Sequence, residues 1–114
     1  MKLIECINEK IMEKNLVCKV TSANNIVVLK NSKPVLLFAV ENSLDEGKFN
    51  FHETKSLEFK KVYPKLIYGI LTQSKLNYHL LKKAKNIDKF LFIPSEKNRK
   101  EVCEMIREEI KSIN

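Results

Sequence analysis

The chain has 114 residues, 44% of them apolar, and carries 21 Lys plus Arg against 14 Asp plus Glu, a net charge of +7. That is enough apolar material for one buried core and no more, so residues 1–114 are read as a single α/β domain. The longest unbroken apolar run, Val35 to Val40, is far below the roughly 20 residues a membrane helix needs, and Glu5 makes the N-terminus acidic too early for a secretory leader, so a soluble, cytoplasmic protein with no membrane contact is expected.

Leu3, Ile4, Ile7 and Ile11 recur at helical spacing, with Glu5, Glu9 and Glu13 on another face, which predicts an amphipathic helix over 2–14 that Asn15 ends. Two segments rich in β-branched residues follow, 16–21 and 25–30, separated by Ser22-Ala23-Asn24; they predict a hairpin. Asn31-Ser32-Lys33-Pro34 reads as a second turn, since proline can open a strand but interrupts its interior. Residues 35–41 are apolar on both faces and predict a central strand that ends in Glu41.

The stretch 44–50 lacks periodicity and contains Gly47, so it reads as a loop. From His52 to Tyr63 the pattern is helical but poorly amphipathic, and Pro64 closes it. A fourth strand is predicted over 66–71. A helix over 76–85 comes next, packing Leu76, Leu80, Leu81 and Ala84 inward, then a fifth strand over 90–93. Ser95 is placed as the N-cap of a last helix whose inward stripe is Val102, Met105, Ile106, Ile110 and Ile113. The order αβββαβαβα predicts a three-layer-like mixed sheet of about five strands, antiparallel on one side and parallel on the other.

Cys6, Cys18 and Cys103 are odd in number, far apart and without a CxxC or histidine companion. They support neither a zinc site nor a disulfide framework, and are read as small buried hydrophobes. The cation excess in so small a domain favours a polyanionic partner, although 19 of the 21 cations are Lys rather than the Arg that grips phosphates and bases bidentately. Lys60-Lys61 and Lys82-Lys83-Lys85 are solvated helix faces that together form a candidate nucleic-acid-binding surface. Tyr63, Tyr68 and Tyr78 could stack on bases, but their apolar neighbours point to partial core burial. His52 and His79 stand alone and read as surface helical residues.

A polar residue opening the second strand and an acid closing the third, within this order of elements, resembles the PD-(D/E)XK or restriction-endonuclease-like superfamily over roughly residues 2–93. In that family an Asp on the second strand and a Glu-x-Lys on the third hold divalent metal and position an attacking water. The resemblance implies Mg²⁺ as the cofactor of any active site. It puts the metal ligands at Glu41, at Asn25 or Asn24 in place of the Asp, and at a glutamate of the first helix, Glu9 or Glu5. The Lys position falls on Ser43, on the same face as Glu41 if the strand continues that far. Some family members move a catalytic residue to the following helix, which makes Lys55 or Glu53 the replacement and Glu41 with Lys55 the catalytic pair. The strings Glu46-Lys48, Glu53-Lys55, Glu58-Lys60 and Glu109-Lys111 also spell Glu-x-Lys, but none ends a predicted strand.

Two functional classes follow. One is a small nuclease-like domain that binds nucleic acid, with weak or absent Mg²⁺-dependent phosphodiester cleavage. The other is a non-catalytic domain that binds a protein partner or forms a homodimer, on this framework or on an unrelated α/β one.

Overall fold

Apolar residues, mostly branched aliphatics with phenylalanine in the last, fill five short segments, and in the computed structural model, which describes residues 16–21, 25–73, 75, 78–93 and 99–111, each of these segments is a strand. They are β1 (Leu16–Val20), β2 (Asn25–Lys30), β3 (Lys33–Glu41), β4 (Ile67–Thr72) and β5 (Lys89–Phe92). Three helices accompany them: α1 (Glu46–Val62) between β3 and β4, α2 (Tyr78–Lys83) between β4 and β5, and α3 (Arg99–Lys111) at the end. The predicted first helix and the Ser95 cap lie outside the described residues.

The strands are ordered β1-β2-β3-β4-β5 across one sheet, so β3 is its middle strand. The β1–β2 and β2–β3 pairs are antiparallel, while β3, β4 and β5 are parallel, with helices as the connections that parallel pairing demands. The β1–β2 hairpin is closed at Asn25, whose N–H donates to Thr21 Oγ1 at 3.2 Å and whose carbonyl accepts from Thr21 N at 2.9 Å. The β2–β3 turn is tighter than the sequence suggested. Asn31 and Ser32 take φ of 53° and 68°, the left-handed pair that matches strand twist. β3 therefore starts at Lys33, and Pro34 is accommodated by a register irregularity at Val28/Leu29.

Alternation along the strands sorts two cores. Ile26, Val28, Leu36 and Phe38 point to one face and pack with Cys103, Ile106 and Ile110, which recur at helical spacing on α3. Val27, Leu37, Ala39, Tyr68 and Ile70 point to the other and are covered by Phe49 of α1 and Leu80 of α2. Phe38 lies opposite Gly69 across the β3–β4 pair, and its ring fills the place a side chain at 69 would take.

The 44–50 segment is not a loop: α1 begins at Glu46. Asp45 caps it by accepting from Lys48 N at 2.8 Å, Glu46 sits at the positive end of the helix dipole, and a glycine in the first turn costs little there. Cys18 is buried, and burial pushes its thiol pKa up to about 12. Cys103 is disulfide-bonded, contrary to the sequence expectation, because separation along the chain does not restrict pairing across a folded core. Among the described residues no helix is long and apolar enough to cross a membrane.

Candidate functional site

β3 carries Glu41 to the end of the middle strand, on the same face as Leu37 and Ala39 and therefore under α1. Asn25, the first residue of β2, pairs with Ala39 and shares that face. α1 crosses above them. Together they bound a cavity of about 400 Å³ lined by Asn25, Glu41, Phe51, His52, Lys55, Phe59 and Tyr68, with Val40 at its edge.

His52 is the residue the sequence misplaced. Rather than lying on the surface it is 4% exposed, because the early start of α1 turns position 52 toward the sheet beside Phe49 and Ser56. Its Nε2 lies 2.7 Å from Glu41 Oε2, and its Nδ1 lies 2.7 Å from Tyr68 Oη. A carboxylate can only accept, so Nε2 donates to Glu41; in the neutral ring this leaves Nδ1 to accept from the Tyr68 hydroxyl. Burial, and then the nearby charge of Glu41, push the Tyr68 phenol well above its ordinary pKa and keep it a donor. The three residues thus form one chain of hydrogen bonds from β4 through α1 to β3. No buried side-chain nitrogen or oxygen among the described residues lacks a partner.

The second oxygen of Glu41, Oε1, faces Lys48 Nζ at 3.9 Å, and Lys48 also donates to the Ser43 carbonyl at 3.4 Å. Lys48 is the second residue that sequence reasoning missed, since placing 44–50 in a loop removed it from the helix that aims it. Ser43 does not continue the strand. β3 ends at Glu41 and Ser43 is exposed, so the same-face argument for position 43 fails.

Lys55 does reach the cavity. Its Nζ stands 5.5 Å from the Phe51 ring centroid and 3.7 Å from Glu58 Oε2. Glu53 points elsewhere, its carboxylate accepting from the N–H groups of Lys85, Asn86 and Ile87 at 2.9, 3.0 and 2.7 Å. Lys60 is not a solvated phosphate contact: its ammonium donates to Asn86 O at 2.7 Å and to Asp88 Oδ2 at 2.6 Å. Lys61, Lys82, Lys83 and Lys85 are exposed and lie outside the cavity lining. The four Glu-x-Lys strings all fall on helices α1 and α3. Tyr68 is buried, Tyr63 is half-buried against the core, and Tyr78 is 77% exposed. His79 is exposed, as expected.

Glu9, Glu5 and Asn24 lie outside the described residues. Among the described residues no group of three or more His, Cys, Asp or Glu side chains converges as metal ligands. Glu41 and Asn25 share the cavity, and they are the side chains placed to offer oxygen to a cation there. Chemically, the pocket offers one fixed carboxylate, an amide, a lysine, an imidazole and the aromatic rings of Phe51, Phe59 and Tyr68.

Compared with family models, curated proteins and solved structures, the chain matches none.

Proposed function

We propose that this chain is a small nuclease-like domain that binds nucleic acid through the cavity between α1 and the β2–β3 hairpin, with phosphodiester cleavage weak or absent. The observation that carries the reading is Glu41, delivered by the middle strand of a mixed sheet into a cavity that also holds Asn25 and Lys55, in a protein of net charge +7. The restriction-endonuclease-like kinship belongs to the same proposal, supported by the succession of three antiparallel strands, a helix and a parallel strand.

Binding is favoured over cleavage because the Glu41 carboxylate is already engaged, with His52 on Oε2 and Lys48 near Oε1. A cation would have to compete with both. The deciding experiment is binding of a labelled nucleic acid across a salt series, with Mg²⁺-dependent cleavage followed in parallel for the wild type and Glu41→Ala. Affinity that falls steeply with salt supports the reading, and affinity indifferent to salt overturns it. Metal-dependent cleavage lost in Glu41→Ala would make Glu41 a working catalytic residue, whereas equal cleavage in both proteins would remove it from the chemistry.

The exposed apolar side chains of α1, with Phe51 at 55% and Val62 at 68% exposure, support a second reading as a protein-binding or self-associating domain. A mass that rises with concentration, measured by sedimentation, distinguishes it.

A further inference from the structure

Phe51, Lys55 and Phe59 follow one another at intervals of four along α1, and all three line the cavity. Four helical residues rise about 6 Å, so an aromatic ring, a cation and a second aromatic ring succeed one another along a single face. Both rings are anchored by neighbours yet remain partly exposed, and Lys55 Nζ stands over the Phe51 ring at 5.5 Å, where its long side chain can swing aside. Phe51 meets His52 edge-on at 5.2 Å, Phe59 stacks on Tyr68 at 6.3 Å, and the two phenylalanines remain 55% and 36% exposed. Exposed aromatics interleaved with lysine are what a single strand needs, since every base has a face to stack and every step carries a phosphate.

The cavity floor adds a selection. Glu41 puts a negative charge and Asn25 an amide beneath the rings. A phosphate is repelled from that floor, whereas a base edge carrying an exocyclic amino group can donate to the carboxylate. A base in a closed duplex cannot enter without leaving its stack.

Resting on the reading of this chain as a nucleic-acid binder, we infer that the cavity takes one unstacked, amino-bearing base of a single-stranded nucleic acid. Phe51 and Phe59 are the stacking platforms, Lys55 lies on the phosphate, and Glu41 receives the amino group.

The test is fluorescence anisotropy at low salt with short labelled oligomers of dC, dT and rC and a mixed-sequence duplex. The proteins are the wild type, the double variant Phe51→Ala/Phe59→Ala, and Glu41→Gln, with folding checked by circular dichroism. At least one of oligo(dC) and oligo(rC) should bind about tenfold or more tighter than the duplex, and the tighter of the two identifies DNA or RNA as the source of the strand. The double variant replaces two exposed side chains, so it should fold normally and lose about tenfold or more in single-strand affinity. Oligo(dC) should bind more tightly than oligo(dT), and Glu41→Gln should narrow that gap, because an amide both donates and accepts. A folded double variant that binds single strands like the wild type, a duplex bound as tightly as single strands, or equal binding of dC and dT overturns this inference while leaving nucleic-acid binding standing. Absence of binding to every oligomer overturns both.

Discussion

Nε2 of His52 donates to Oε2 of Glu41 across 2.7 Å, and this bond ties the middle of α1 to the end of the middle strand. It fixes the carboxylate against the cavity wall, and through Nδ1 it passes on to Tyr68. The helix, the acid and the phenol therefore behave as one unit, and disturbing any of them is felt by the others.

Tyr68→Phe removes the hydroxyl that meets His52 Nδ1 and leaves a buried ring nitrogen with no partner. A loss of about 1–2 kcal/mol is expected. His52→Ala goes further, since it deletes both bonds and opens space beneath α1, and should cost about 3 kcal/mol or more. Urea unfolding midpoints check both values. The Tyr68→Phe/Glu41→Gln pair should be non-additive, because the two substitutions act on the same imidazole.

Gly69 faces the Phe38 ring across the β3–β4 pair, and a Cβ placed there comes 2.4 Å from Phe38 Cε1 and 2.6 Å from Cδ1. Phe38 is fully buried and has little room to retreat. Gly69→Ala should therefore destabilise by about 2–3 kcal/mol through overpacking. Gly47→Ala is the contrasting case: its nearest neighbour would be Asp45 Oδ1 at 3.4 Å, and the residue is helical. That change should stabilise by about 0.5 kcal/mol. Thermal melts of the two variants should move in opposite directions.

The contrast between the legible and illegible parts of the sequence follows the length of the physical signal. β2 and β3 were readable because runs such as Ile26-Val27-Val28 and Leu36-Leu37-Phe38 leave no polar face for a helix to show to water. Glu41 stood out because it is a lone acid at the end of such a run, and the structure places it in the cavity lining, hydrogen-bonded to His52. The helix was readable from His52 to Tyr63 but its first part, Glu46 to Phe51, was not, because the inward face of α1 is built from Phe49, His52 and Ser56, which is too polar to register as an apolar stripe. Its start is capped by the Asp45 carboxylate, which accepts from Lys48 N, a local signal masked by the nearby Gly47. The roles of His52, Lys48, Glu53 and Lys60 depend on partners far along the chain, and no local pattern announces those.

Glu53 holds the turn before β5 by accepting from three consecutive N–H groups, at Lys85, Asn86 and Ile87. Glu53→Ala leaves those donors to water or to nothing, and a loss of about 2–3 kcal/mol is expected. Hydrogen exchange should report faster opening of the amides at 85–87, with amides of β2 and β3 changed less. Affinity for nucleic acid should stay near that of the wild type, since Glu53 is not part of the cavity lining. A large loss of binding in a folded Glu53→Ala variant would instead place the recognition surface near α2.

Cys18 and Tyr68 give stability an alkaline limit. Burial raises the Cys18 thiol from 9.0 to about 12 and raises the Tyr68 phenol as well, so the folded state keeps both protons where the unfolded chain surrenders them. An acid whose pKa is higher in the folded state contributes stability that is complete below its unfolded pKa and is lost as pH rises toward the folded one. Stability should therefore be level with respect to these two groups at neutral pH and decline from about pH 9 upward. Cys18→Ala removes one of the two contributions. It lowers stability at neutral pH by vacating a buried site, but its decline between pH 9 and pH 11 should be shallower than that of the wild type. Urea midpoints across that range measure the slope directly, and an unchanged slope in Cys18→Ala would assign the alkaline loss to Tyr68 and the surface charges.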